Sequence, residues 1–211
     1  DPMGDGDDTK RIDALKNAAN SFIDEIANQN ATVKDAAKQH QVAIVKFAGD
    51  KTDKVGNDTY GGYRYNYSQV MKTLAPCTND TQGDFSSQVN AIQPAGATNA
   101  AAGLELAKGQ NSKRSDAKKV VIFFTDGTPT SFSNFESEVA SDAVAAAKVM
   151  KDAGASVYTI GIFNGANPSA DGNATTNENK LMQAASSNYP AAAYTYTQYW
   201  WGGEWNWGFG D

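Results

Sequence analysis

The sequence has very few of the residues from which many functional sites are built. It contains one cysteine, Cys77, and one histidine, His40. A single cysteine excludes a disulfide framework within the chain, and it leaves Cys77 as a lone thiol or as half of a bridge to a partner outside the chain. A single histidine leaves almost no material for a histidine-based zinc site or a Ser-His-Asp triad.

Other absences exclude whole classes of partner. There is no run of 18 apolar residues and no signal-peptide pattern, so we expect no membrane span. The formal net charge is −6, which argues against a surface that follows the phosphates of a nucleic acid. Neither a Walker loop, nor a GxGxxG motif, nor a nucleophile elbow occurs, and we therefore predict that the chain is not an enzyme.

The most informative stretch is the unbroken apolar run from Val120 to Phe124, which is followed by Thr125-Asp126-Gly127. Such a run of β-branched and aromatic residues is typical of a strand that is buried on both faces. Ligands of open α/β sheets bind at the carboxyl ends of the strands. Asp126 therefore stands where a functional site is expected.

Helical and strand patterns alternate around this stretch. Apolar periodicity and turn residues predict helices at 9–28, 85–92, 100–107, 137–153 and 177–186, and strands at 42–48, 119–125, 157–163 and 192–199. The run at 157–163 is predicted to be a second buried strand. At 211 residues the chain is long enough for one α/β domain with a full core. The alternation predicts a doubly wound, mainly parallel sheet with helices on both faces.

Two segments do not fit this alternation. Residues 49–68 are polar and rich in glycine and tyrosine, which indicates a surface insertion or hairpin, and we extend the inserted region to about 49–84. Its tyrosines belong either to a binding surface or to an edge strand. The tail at 200–211 holds all four tryptophans and is treated as a separate tail or as the start of an insertion. These tryptophans either stack on sugars or, as we prefer, dock into a neighbouring domain.

Thr98 lies in a loop directly before the predicted helix at 100–107. One interpretation is a plain helix cap, in which the hydroxyl accepts a hydrogen bond from a backbone N–H. The other interpretation makes Thr98 part of the site that contains Asp126. Residue spacing alone does not separate the two.

Four stretches together resemble a von Willebrand factor type A domain, and most closely the A domains of Gram-positive surface proteins and pilus-tip adhesins. The resemblance extends over most of residues 1–199, which we take as the domain. It is carried by TKRIDALKNAANSFI (9–23), GATNAAAGL (96–104), VVIFFTDGTPT (120–130) and AAAKVMKDAGASVYTIGI (145–162).

The resemblance implies a metal-ion-dependent adhesion site at the top of the sheet. In that family three loops bind Mg²⁺, and Mn²⁺ or Ca²⁺ are alternatives. Thr98 matches the threonine of the second loop, and Asp126 matches the aspartate of the third. Hydroxyl and carboxylate oxygens suit such a hard cation, and an open position accepts an acidic group from a partner.

One part of the family pattern is missing. No Asp-x-Ser-x-Ser motif occurs near the N-terminus, where the family places its first strand and first metal loop. We therefore expect a sheet without that strand and an incomplete site in this chain, completed in the intact parent if the motif lies upstream.

The function implied is adhesion or ligand binding at a bacterial cell surface or cell wall. The partners implied are a host or matrix protein and neighbouring domains of the same surface protein. The alternative is a structural module of a surface or pilus protein that lacks a working metal site.

Overall fold

The computed structural model of the chain describes residues 7–49, 59–60, 63–64, 67–93, 96–111, 113, 116–131, 134–162, 176–199 and 201–208. Its helices are α1 (Asp7–Ala31), α2 (Gln82–Asn90), α3 (Ala100–Asn111), α4 (Ser137–Asp152) and α5 (Asn177–Ala185), with a 3-10 turn at Ala36–Lys38. Its strands are β1 (Gln41–Lys46), β2 (Thr59–Tyr60), β3 (Tyr63–Arg64), β4 (Gln69–Pro76), β5 (Val120–Thr125), β6 (Ser156–Gly161), β7 (Ala193–Tyr199) and β8 (Gly202–Gly208).

Every helix and strand predicted from the sequence is present, with ends that shift by a few residues. Local chemistry explains several of these ends. The Thr176 side chain accepts a hydrogen bond from the backbone N–H of Asn179 and so caps α5. Gly154, with φ of 83°, ends α4 in the left-handed region that favours glycine.

The strands pair in four two-stranded sheets within the described part of the chain. β5 and β6 are parallel and in continuous register, with Ile122 opposite Tyr158 and Phe124 opposite Ile160. β1 pairs with β4 in antiparallel fashion, with irregular register between Val42 and Val45. No ladder joins β1 to β5 among these residues. The pair β1–β4 and the pair β5–β6 are therefore two separate halves.

β4 and β8 were not predicted. β4 lies where the sequence indicated an insertion. Its residues show neither the alternation of a half-buried strand nor the continuous apolar run of a buried strand, so no strand was predicted there. β8 comes from the tryptophan-rich tail and pairs antiparallel with β7, with Tyr196 opposite Trp205. β2 and β3 form a short hairpin within the polar region at 49–68. Residues 50–58, 61–62 and 65–66 of that region and the whole loop at 163–175 lie outside the described residues, and the proposed domain limits stay predictions.

Each half has its own apolar cluster. In the first half, α1 and α2 pack on β1 and β4, with Ile23, Ala27, Phe85 and Val89 buried around Cys77. The Cys77 thiol is fully buried, and its Sγ lies 3.6 Å from the backbone oxygen of Ile23. Cys77 is therefore a core residue.

The second cluster lies between one face of β5–β6 and helices α3, α4 and α5. Its members from the strands are Phe123, Val121 and Val157, and α4 contributes a row of small residues, mostly alanine. Alanines allow α4 to approach the sheet and α3 closely, since they fill little space between the backbones.

One prediction about these strands is wrong. The sequence indicated that β5 and β6 are buried on both faces, but among the described residues only the face toward α4 is covered. Val120 is 52% exposed and Ile122 is 47% exposed, whereas Phe123 is 4% exposed. An apolar run shows that a strand can be buried on both faces, and it does not show that a covering element is present in the same chain.

The described elements form an α/β fold, with α1 and α2 on one side of the sheet and α3 to α5 on the other. None of the described helices combines the length and the apolar character that a membrane crossing needs.

Candidate functional site

Asp126 lies at the carboxyl end of β5, as predicted. The strand ends at Thr125, whose buried Oγ1 accepts a hydrogen bond from the backbone N–H of Gly127 at 3.3 Å. This contact turns the chain away from the sheet. The Asp126 side chain remains half exposed, so its carboxylate faces solvent at the edge of the sheet.

Thr98 lies in the loop between α2 and α3, and the structure brings it to the same edge. If a methyl group were added at Gly127, it would lie 2.6 Å from Thr98 Oγ1. The Thr98 hydroxyl therefore rests directly against the backbone next to Asp126. Only glycine leaves room for this approach, which explains why Gly127 follows Asp126.

The helix-cap interpretation of Thr98 is wrong, because its neighbour caps α3. The Asn99 side-chain oxygen accepts a hydrogen bond from the backbone N–H of Ala102 at 2.9 Å. Asparagine is among the best N-cap residues, so the sequence did contain this signal. The hydroxyl of Thr98 is consequently not engaged in the cap and is placed toward Gly127.

Backbone hydrogen bonds fix the Thr98 loop between the two halves of the sheet. The N–H of Asn99 donates to the oxygen of Ala48, just after β1, at 2.7 Å. The N–H of Thr130, in the loop after β5, donates to the oxygen of Thr98 at 3.0 Å. Below this loop, the Phe47 and Phe123 rings lie 5.5 Å apart between centroids. The loop therefore joins the ends of β1 and β5.

Two further charged residues at this edge were not foreseen. Glu178, in the first turn of α5, accepts a hydrogen bond from Thr128 Oγ1 at 2.6 Å. Arg11, near the start of α1, places Nη1 4.0 Å from Asp126 Oδ2. No local sequence pattern marks either residue, because both reach the edge only through the packing of distant helices.

The donor set is chemically suited to a hard cation but small. Thr98 and Asp126 offer a hydroxyl and a carboxylate, which are ligands that Mg²⁺ prefers, with water in the other positions. No group of three or more His, Cys, Asp or Glu residues suited to a metal occurs within the described ranges. Two protein ligands hold Mg²⁺ weakly, so a tight site needs further oxygens from elsewhere.

A protein-family model and solved structures match most of this chain. The family model for the von Willebrand factor type A domain matches residues 7–199. The pilus adhesin SpaC from Lactobacillus rhamnosus GG, in its open conformation, is 18% identical over 86% of this chain, with a TM-score of 0.58. Another crystal structure of SpaC is 19% identical over 84% of the chain, also at 0.58. The chain spans a quarter of the length of each. A search of curated proteins finds no match.

Proposed function

Because the chain belongs to the von Willebrand factor type A domain family, we propose that it is a ligand-binding module for adhesion at a bacterial surface, assisted by a divalent cation. The observation that carries the proposal is the approach of the Thr98 hydroxyl to the backbone beside Asp126. A hydroxyl therefore lies against the residue that directly follows a solvent-facing carboxylate. The fold similarity to a pilus adhesin supports a role outside the cell, on the surface or cell wall.

In this proposal Thr98 and Asp126 provide two ligands of a Mg²⁺ or Mn²⁺ ion, and the other ligands come from water and from outside the described residues. The bound cation supplies a positive charge with an exchangeable position. An acidic side chain of a host or matrix protein is the partner group that such a position attracts. The chain acts as a binding module and not as an enzyme, a view that rests on the motifs missing from the sequence.

A second candidate function has a specific observation in its favour. The Arg11 guanidinium already supplies a positive charge close to Asp126. If this ion pair persists, the negative charge of Asp126 is balanced without a metal. The module then serves as a structural unit that packs against neighbouring domains of a surface protein. Both side chains are partly exposed, so the pair contributes little stability and yields readily to a divalent cation.

Calorimetric titration of Mg²⁺ and Mn²⁺ separates the two functions. The samples are the protein at its natural full length, its Asp126→Ala variant and an Asp152→Ala control, which removes an exposed carboxylate from the far end of α4. We expect saturable binding by the protein and the control, and a loss of at least about tenfold in affinity for Asp126→Ala.

Adhesion to immobilised matrix protein, with and without a chelator, provides the second measurement. Loss of adhesion with the chelator and in Asp126→Ala, together with an unchanged circular dichroism spectrum, supports the adhesion module. Equal metal binding by all three proteins contradicts the metal site. No binding and no chelator effect in the unaltered protein favours the structural unit.

A further inference from the structure

Arg11 lies beside the carboxylate on which the proposed cation site depends. Its Nη1 is 4.0 Å from Asp126 Oδ2, and the two side chains are 39% and 50% exposed. The contact joins a single nitrogen to a single oxygen at the outer limit of an ion pair. A guanidinium binds a carboxylate most strongly through two parallel hydrogen bonds of about 2.7–2.9 Å. Arg11 therefore stands close to Asp126 without binding it in that way.

Two other carboxylates near this edge have hydrogen-bond donors of their own. Glu136 accepts hydrogen bonds from the loop after β5 at 2.6–3.0 Å. Glu178 accepts one from Thr128 Oγ1 at 2.6 Å. Within the described part of the chain, the carboxylate of Asp126 has no such donor and is contacted by Arg11. Asp126 is therefore the carboxylate of the three that is open to an added cation.

A divalent cation and Arg11 compete for Asp126. Both are positive, and a divalent ion a few ångströms from a guanidinium is repelled by it even in a medium with the dielectric constant of water. Arg11 therefore weakens the binding of a cation that arrives alone. Conversely, a cation that binds Asp126 displaces the guanidinium from it.

α1 keeps Arg11 at the edge whether or not Asp126 binds a cation. Ile23 and Ala27 of this helix are buried in the cluster on β1 and β4. Lys16 donates a hydrogen bond to the backbone oxygen of Asn90, at the end of α2, at 3.1 Å. These contacts do not involve Asp126. Since an arginine side chain has several rotatable bonds, the displaced guanidinium can reach a group that is bound a few ångströms away.

A carboxylate from a partner reverses this balance, because it has two oxygens. One oxygen takes the open position of the cation, and the other accepts hydrogen bonds from the guanidinium. The two positive groups then attract the same anion between them. Glu136 and Glu178 repel an acidic partner, and the charge of Arg11 offsets part of that repulsion. Arg11 therefore opposes the cation alone and favours the cation together with an acidic partner.

We propose that Arg11 is a partner-binding residue that makes a divalent cation and an acidic partner bind cooperatively. Without a cation it pairs loosely with Asp126, and with a cation it binds the second oxygen of the partner's carboxylate. The coupling is reciprocal, so the acid raises the affinity for the cation by the factor by which the cation raises the affinity for the acid. This inference rests on the proposed function, because it assigns Arg11 a role at the same site.

Calorimetric titration of Mg²⁺ in two buffers of equal ionic strength tests the proposal. One buffer contains chloride, and in the other acetate replaces chloride as a probe that carries the carboxylate alone. The samples are the protein at its natural full length, Arg11→Gln, Arg11→Lys and Asp126→Ala. Lys38→Gln is the control for loss of one positive charge, because Lys38 is 78% exposed in the turn before β1.

In chloride we expect Arg11→Gln to bind Mg²⁺ about tenfold more tightly than the unaltered protein, because the repulsion is gone. Acetate should raise the Mg²⁺ affinity of the unaltered protein and of Lys38→Gln by at least about fivefold, and that of Arg11→Gln hardly at all. Arg11→Lys keeps the charge but not the planar pair of donors, so it should bind Mg²⁺ weakly in chloride and gain less from acetate. The urea midpoint of Arg11→Gln should be unchanged, since the ion pair is exposed.

The outcomes separate this inference from the proposed function. Mg²⁺ binding that is lost in Asp126→Ala but is the same in the unaltered protein and in Arg11→Gln, in both buffers, overturns the role of Arg11 alone. An equal gain from acetate in these two proteins also overturns it. No Mg²⁺ binding by any sample in either buffer overturns the proposed cation site and this inference with it. If Arg11→Gln fails to fold, the acetate effect in Arg11→Lys decides, and a gain equal to that of the unaltered protein contradicts the proposal.

Discussion

The two halves of the sheet are built differently although they belong to one fold. In the β1–β4 half, α1 and α2 cover one face, and α3 lies against the other. In the β5–β6 half, α3, α4 and α5 cover one face, and no described element covers the other. The more apolar pair of strands is thus the one with the larger exposed apolar surface.

The two halves also differ in how much of their apolar surface is covered. The β1–β4 half has helices against both faces, and a buried polar side chain, Asn30, links α1 to its strands. The β5–β6 half keeps a surface that is too apolar to be a plain solvent face. The candidate site lies where the halves meet, since the Thr98 loop is bonded to the ends of both.

The largest effect is expected from substitutions on opposite faces of β5. Phe123 is 4% exposed and packs against Phe47, so Phe123→Ala should lower the free energy of unfolding by about 3–5 kcal/mol. Ile122→Ala removes a side chain that is already half exposed and should cost less than about 1 kcal/mol. Urea unfolding of residues 1–211 measures both. Equal losses would show that the face of β5 that bears Ile122 is buried in solution.

The same strand shows what the sequence determines. The unbroken run from Val120 to Phe124 predicted a strand, its end and the place of Asp126, because local composition and the turn residues specify those features. Its burial depends on which helices are present to cover it. That is a property of the whole assembly, and no pattern within the strand reports it.

Asn30 provides the next largest effect, in the closed half. Its amide accepts a hydrogen bond from the N–H of His40 and donates to the backbone oxygens of His40 and Cys77, at 2.7–2.9 Å. Asn30→Ala leaves these buried backbone groups without their partner and should lower the free energy of unfolding by about 2–3 kcal/mol. Thermal unfolding measures the loss, with exposed Asn28→Ala as the control. Similar melting temperatures for both variants would contradict this role.

Asn30 and the Thr98 loop mark the limit of prediction from sequence. The first helix was predicted at 9–28 and so stopped short of Asn30, which α1 includes in its last turn. The hydrogen bonds of Asn30 to His40 and Cys77 depend on how α1 packs on β1 and β4. The resemblance implied that Thr98 and Asp126 belong to one site, which stays a prediction, and the structure places Thr98 against Gly127, the residue after Asp126. Arg11 and Glu178 join the edge from helices far away in sequence, which only the three-dimensional structure reveals.

The smallest predicted effect concerns the covered side of the β5–β6 half, where Lys151 links α4 to the end of α5. Its Nζ donates hydrogen bonds to the backbone oxygens of Ala184 and Tyr189 at 2.8 Å and of Ser186 at 3.2 Å. Burial and the neighbouring Lys148 lower the pKa of Lys151 from 10.5 to about 8, and Asp152 opposes this shift only in part.

The sign of the pH effect follows from this pKa. Below about pH 8 the ammonium is charged in both states, and the cost of burying it is fully present in the folded state. Between about pH 8 and 10.5 the folded protein has released a proton that the unfolded chain still binds, so stability rises with pH. Lys151→Met removes this dependence. We compare the unfolding free energies of the unaltered protein and of Lys151→Met. Their difference should increase by about 1 kcal/mol over this pH range, which is less than the whole pKa shift corresponds to because solvent screens the charge. Lys148→Met is the control for removal of a positive charge. If the difference in unfolding free energy for Lys151→Met does not change with pH, the three carbonyl partners keep the Lys151 ammonium charged.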